Sequence, residues 1–346
     1  MPVSIRKADL IKDRRLIVEF LHKNLTGLSD DRRYDWLYLQ NPFGPAHVWL
    51  MYGEDSEELI GSAAAFPRLV QVGGNDLVCW NLGDFVIKES FRSLGPAVSL
   101  QRACLGPVKS GEISFCYDHP SKSMMAIYNR IGVPASGWIT RYAKPLRLDG
   151  QVEKYLGGNL PAKALSALGN SLLASWDKVR FRKGKLEIAL EEGRFGDEFS
   201  ELDQRTCHRY KVCGRRTAQY LNWRYKDNPL ADYEVVTLRE GGRLLAYVVF
   251  SHRDRHAVVS DLFGDDTPSA VRALLGETLA VLRKRSIHTV SVPASEGGPL
   301  TPSLEQAGFY PREKSPLVIY AASKGPWDGL VNVVANWFLS YGDRDS

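Results

Sequence analysis

The chain has 346 residues, 45 of them basic and 40 acidic, so its formal charge of +5 is a small excess with the two signs interspersed. An apolar share of 44% and a charged share of 25% exclude disordered, fibrous and low-complexity classes. The charge balance suits an anionic ligand but is too slight to argue for nucleic acid. Cys79, Cys104, Cys116, Cys207 and Cys213 are odd in number and form no Cys-x-x-Cys pair, which gives neither a disulfide framework nor a zinc site. A chain of this length exceeds one core of ordinary size and predicts two domains.

From the N-terminus, Met1 to Leu10 places charges where a signal peptide needs apolar residues, and no apolar run is long enough to span a bilayer. The expectation is a soluble cytoplasmic protein. Trp36-Leu-Tyr38-Leu-Gln-Asn41-Pro42 precedes three expected strands at His47 to Tyr52, Leu59 to Phe66 and Val78 to Ile87. The last of these runs into Arg92-Ser93-Leu94-Gly95-Pro96-Ala97, with a helix beginning at once. Such a turn aims free backbone N–H groups and the positive end of a helix at one point, which suits a pyrophosphate. Gly95 permits close approach and Arg92 adds charge, whereas Pro96 removes one backbone donor. A short strand, Glu112 to Tyr117, then leads through Asp118-His119-Pro120 to a helix opening at Ser121 and carrying Tyr128 four residues before Gly132.

Asp149 to about Arg216 reads as a connecting region. Leu160 to Trp176 suggests a helix, and Lys178 to Leu190 alternates charged with apolar residues about Lys183-Gly184, the pattern of a hairpin with one wet face. Trp223-Arg-Tyr225-Lys-Asp-Asn228-Pro229 then repeats the first motif at a constant offset of 187 positions. The same order of elements follows it: Tyr233 to Leu238, Leu244 to Ser251, Ala257 to Phe263, a helical stretch, a strand, and a short helix with Leu304 before Gly308. The copy has no Arg-x-x-Gly-x-Ala turn, and Asp265 and Asp266 near the corresponding position would repel a phosphate. Leu330 to Leu339 is an apolar stretch expected to dock as a terminal helix on the core, since it lacks the basic face of membrane-surface helices.

The order of elements, the Arg92–Ala97 turn and Tyr128-Asn-Arg-Ile-Gly132-Val133 together resemble the GNAT superfamily of acetyl-CoA-dependent N-acyltransferases. The likeness covers about Ile5 to Val133 and, more faintly, Tyr220 to Ala321. It implies an α/β (α+β) fold of two tandem GNAT-like domains, each a mixed, mostly antiparallel sheet flanked by helices. These would be a catalytic domain over 1–149, a connection over 150–216, a degenerate copy over 217–325 and a terminal helix and tail over 326–346. Tandem proteins of this kind, including a Gly342 to Asp345 tail, look like bacterial exopolysaccharide or cell-envelope proteins.

The resemblance further implies acyl transfer from acetyl-CoA, or another acyl-CoA, to an amine on a small molecule or saccharide, by direct attack and without a metal. Phe85, Val86 and Ile87 would pair with the pantetheine arm, and Arg92, Ser93, Leu94, Gly95, Ala97 and Ser121 would hold the cofactor. Asp84 would accept the amine proton and Tyr128 would protonate the departing thiolate; His119 is a rival base. The second half would wall the acceptor site, together with Trp223 and Tyr225. A transferase using aminoacyl-tRNA and a non-catalytic ligand-binding module are the alternatives. Oligomeric state is not readable from the residues.

Overall fold

The computed structural model describes all residues except 1–2, 26–28, 54–57, 157–159, 181–185, 266–267, 323–324 and 345–346. In chain order the first half comprises strand β1 (Val3–Lys7), helices α1 (Arg14–Asn24) and α2 (Asp31–Tyr34), strands β2 (His47–Gly53), β3 (Leu59–Val72) and β4 (Asn75–Ile87), helix α3 (Leu94–Lys109), β5 (Phe115–Asp118), α4 (Lys122–Arg130) and β6 (Gly137–Pro145). The connection supplies α5 (Asp149–Leu156), α6 (Leu160–Arg180), β7 (Glu187–Glu191), α7 (Asp197–Thr206) and β8 (Val212–Gly214). The second half follows with α8 (Ala218–Leu221), β9 (Glu234–Glu240), β10 (Arg243–Arg253), β11 (His256–Gly264), α9 (Pro268–Lys284), β12 (Thr289–Ser295), α10 (Thr301–Gln306), β13 (Tyr310–Ala321), α11 (Asp328–Val331) and β14 (Trp337–Phe338).

The strands form one large, mostly antiparallel sheet in the order β1-β2-β3-β4-β5-β13-β6-β12-β11-β10-β9-β7. The closing strand of each half therefore lies in the other half's territory: β13 pairs with β5, and β6 pairs with β12. The strands before and after residue 149 thus belong to one continuous sheet. The connection also serves both sides, since β7 extends the sheet beyond β9 while β8 pairs with β3.

The two Trp motifs meet at the centre. Trp36 Nε1 donates to the Trp223 carbonyl at 2.7 Å and Trp223 Nε1 donates to the Trp36 carbonyl at 2.9 Å, with the rings stacked 5.2 Å apart. This reciprocity requires both copies to present the same surface to each other, and both motifs are wound as π-helical turns over 35–39 and 222–226. Each Asn-Pro step closes the same local turn: the Asn41 carboxamide oxygen accepts from Phe43 N–H and that of Asn228 from Leu230 N–H. Trp223 and Tyr225 are accordingly core residues, 7% and 3% exposed.

Two expectations need correction. Lys178–Arg180 belong to the end of α6, not to a strand, and the Lys183-Gly184 turn lies outside the described residues. The apolar stretch at 330–339 does dock on the core, but as a short helical turn followed by β14 alongside β8. Its residues are too β-branched and aromatic to hold a long helix.

Candidate active site

Strands β4 and β5 pair in parallel only at Trp80–Cys116, Asn81–Tyr117 and Leu82–Asp118. Beyond Leu82 they separate, because β4 takes a bulge opposite Ala63 and β5 ends. Backbone groups on that edge of Gly83 to Ile87 have no strand partner there. The resulting cleft holds about 650 Å³, floored by Gly83 to Ile87 and closed by the start of α3 and by residues 118–124.

Most residues assigned from sequence meet in this cleft. Phe85, Val86, Ile87, Arg92, Ser93, Leu94, Ala97 and Ser121 all line it, as do Asp84 and His119. Gly95 does not, although an added Cβ there would meet nothing within 4 Å. Ser93 is the N-cap of α3 and its side chain makes no capping bond. The first-turn N–H groups of Leu94 and Gly95 have no intrahelical acceptor and stand at the positive end of a 16-residue helix. Pro96 falls in that same first turn, where its missing N–H would have been unsatisfied within the helix. The exposed Arg92 donates through Nε to the Ile87 carbonyl at 3.2 Å, and among the described residues it has no carboxylate partner. These features fit an anionic, phosphate-bearing ligand.

Asp84 does not present a free base. Its carboxylate is gripped by both terminal nitrogens of Arg33 at 2.7 and 2.8 Å and accepts from the Tyr38 hydroxyl at 2.5 Å, all three groups being buried. Its backbone is left-handed at φ 46°, as the bulge requires. Asp261, on the third strand of the second half's meander, is equally buried, receives Arg216 Nε at 3.0 Å and accepts from Tyr247 at 3.2 Å. A buried Asp–Arg–Tyr cluster that recurs where there is no such cleft serves to pin the strand. Asp261 therefore does not face a phosphate site either, and Asp265 is paired with Arg209; Asp266 lies outside the described residues.

Tyr128 is fully buried behind the cleft wall. Its hydroxyl donates to Asp118 Oδ2 at 2.7 Å and accepts from Gln101 Nε2 at 2.9 Å, and both of those partners line the cleft. Burial, reinforced by the Asp118 charge, pushes the phenol well above its usual range, so it stays protonated. Leu304 in α10 is buried in the core. Sequence reasoning missed Gln101, a polar residue on a helix with no motif to mark it, and it missed the parts played by Arg33, Tyr38 and Asp118.

His119 touches a second cavity as well. That cavity, about 230 Å³, is bounded by Arg141 from the first half, Glu313 and Lys314 from the second, and Tyr341 and Arg344 from the tail. The Nε2 of His119 is buried with no hydrogen-bond partner, and so is the Nε of Arg344. Burial, with the Arg344 charge nearby, pushes the imidazole down to about 3, so it is neutral near pH 7.

No protein-family model and no curated protein sequence matches the chain. Solved structures do match over nearly its whole length. A GCN5-related N-acetyltransferase from Anabaena variabilis aligns with a TM-score of 0.67 at 14% identity, covering 92% of this chain and 72% of that one. The fold is that of the GCN5-related N-acetyltransferases. A probable N-acyltransferase from Enterococcus faecalis gives 0.66 at 10% identity, covering 93% and 72%. N-myristoyltransferase from Saccharomyces cerevisiae, with bound myristoyl-CoA, gives 0.57 at 11% identity, covering 92% and 84%. Among the described residues no helix is long and apolar enough to cross a membrane, and no three His, Cys, Asp or Glu residues gather as metal ligands.

Proposed function

We propose that the protein is an acyl-CoA-dependent N-acyltransferase whose acceptor is an amine bearing an anionic group, such as an acidic amino sugar or an envelope precursor. The observation that carries the reading is the opened β4–β5 edge meeting Arg92 and the start of α3 in one cleft. Acyl-CoA supplies the activated thioester. The free edge of β4 at Phe85 to Ile87 would take the pantetheine arm as an added strand, and Arg92 with the Leu94 and Gly95 N–H groups would take the pyrophosphate. The solved N-myristoyltransferase with its acyl-CoA supports this use of the fold.

The second cavity supports the acceptor class. Arg141 is paired there with Glu313 and Lys314 with Glu296, which leaves Arg344 as the lining cation with no ion pair among the described residues, one positive charge that favours an anionic group on the acceptor. His119 is common to the linings of the two cavities. We assign to the Tyr128 hydroxyl the protonation of the departing sulfur; the amine proton is lost to solvent, since a His119 imidazole held at about 3 is too weak a base to take it. Asp84 we assign to holding the bulge through Arg33.

Acetyl-CoA is expected to raise the melting temperature where free adenosine does not, and Arg92→Ala is expected to weaken CoA binding about tenfold, the loss of one charge-assisted contact. Absence of any CoA stabilisation would sink the proposal. His119 gives a pH signature. Its pKa in the fold lies below the ordinary 6.5, so the unfolded chain takes up the proton first. Stability is expected to be level in this respect above about pH 6.5 and to decline as pH falls towards 3. Urea midpoints across that range should show the decline in the wild type and a shallower one in His119→Gln.

A further inference from the structure

Helix α6 is mounted inside out. Its inward stripe is largely polar. Ser166 is buried, Asn170 bonds to Asp149 and to the Leu148 N–H, and the buried Asp177 accepts from Lys144 Nζ at 2.8 Å and from Arg283. Its outward stripe is apolar at helical spacing, with Leu165 50%, Leu168 61%, Leu172 64% and Trp176 63% exposed. On neighbouring α5, Tyr155 and Leu156 are 77% and 53% exposed. A contiguous apolar surface of this kind on a folded domain marks an interaction site.

Charge identifies what would cover it. Residues 154–185 contain seven basic residues and one acid, Asp177, a net +6 that leaves the rest of the chain at −1 of the total +5. That one acid is turned inward and neutralised by Lys144 and Arg283. The chain's whole positive excess thus lies in the segment that exposes its leucines. Apolar residues including a tryptophan on one face of a helix, within a stretch of sequence whose charges are almost all lysines and arginines, are the pattern by which a helix lies in a lipid headgroup layer.

We infer that α6, with the end of α5, binds the protein to the surface of an anionic membrane, its Leu165–Leu168–Leu172–Trp176 stripe entering the headgroup layer. This is independent of the acyltransfer reading. The full-length protein should co-sediment with vesicles of phosphatidylcholine containing 30% phosphatidylglycerol (about a third anionic lipid), weakly with phosphatidylcholine alone, and less at high salt. Leu168→Glu/Leu172→Glu should reduce binding to the anionic vesicles more than about tenfold. Both positions are exposed, so the variant should keep the wild-type melting temperature. Failure of the wild-type protein to sediment would overturn the inference, as would equal sedimentation of the variant. A wild-type dimer in light scattering that the variant converts to monomer would also overturn it, by assigning the face to a second copy of the chain.

Discussion

Tyr128→Phe is expected to lower kcat about 10²–10⁴-fold while acetyl-CoA still raises the variant's melting temperature. The ring lies wholly in the core and Phe preserves its packing, so the change is confined to one hydroxyl. That hydroxyl is a protonated group one step behind the cleft, held by two side chains that line it. Turning it from Asp118 towards a departing sulfur breaks one hydrogen bond, a net cost of about 1 kcal/mol. The substitution also leaves the buried Gln101 carboxamide without its hydroxyl acceptor, which costs about 1–3 kcal/mol of stability. The two effects separate experimentally: a lowered melting temperature with unchanged single-turnover rate would make Tyr128 a structural residue and remove it as the acid.

The largest effect on stability is expected from Asp343. Its carboxylate receives Arg68 at 2.9 Å, Arg216 at 2.7 Å and the Ser340 N–H at 2.9 Å, and its carbonyl accepts from Tyr117 at 2.6 Å. Burial would raise its pKa, but Arg216 and Arg68 outweigh burial and hold it at about 2. Asp343→Ala leaves two guanidinium groups buried in the core, Arg216 with only Asp261 as counter-ion. Removing one member of a buried ion cluster costs about 3–5 kcal/mol. Calorimetry should show a melting temperature lower by more than about 5 °C; a change within 1–2 °C, about the scatter expected of surface substitutions, would mean the tail does not fasten the fold. Because the folded-state pKa is depressed, Asp343's own contribution is present above about pH 4 and is lost as the pH falls towards 2.

How much of this was legible in the sequence depended on the range over which each signal acts. The Arg92–Ala97 turn and its helix are local, marked by a glycine and a proline in the first helical turn, and they stand where the pattern put them. The repeat at Trp36 and Trp223 was visible as a spacing, but its reciprocal bonding required the two copies to face each other. Asp84 was misjudged because a carboxylate on a strand beside a cleft looks like a base until its partners are known. Arg33 lies 51 residues away in sequence and carries no motif. The exchange of β6 and β13 was illegible for a similar reason: alternation fixes which face of a strand is buried, not which neighbour it chooses. The inverted face of α6 was hidden by its composition, since leucines at helical spacing read as core unless the polar residues between them are known to be bonded inward.

The exchanged closing strands bear on how the protein is made. Strand β5 carries one wall of the cleft and emerges early in synthesis, yet the neighbour that completes its sheet, β13, is translated some 200 residues later. Asp343 and its arginine clamps come later still. At about 5–20 residues per second, the first half waits on the order of ten seconds or more with an open sheet edge. A chain that stalls before residue 310 is therefore expected to be protease-sensitive, because β5 has one sheet edge without its partner strand.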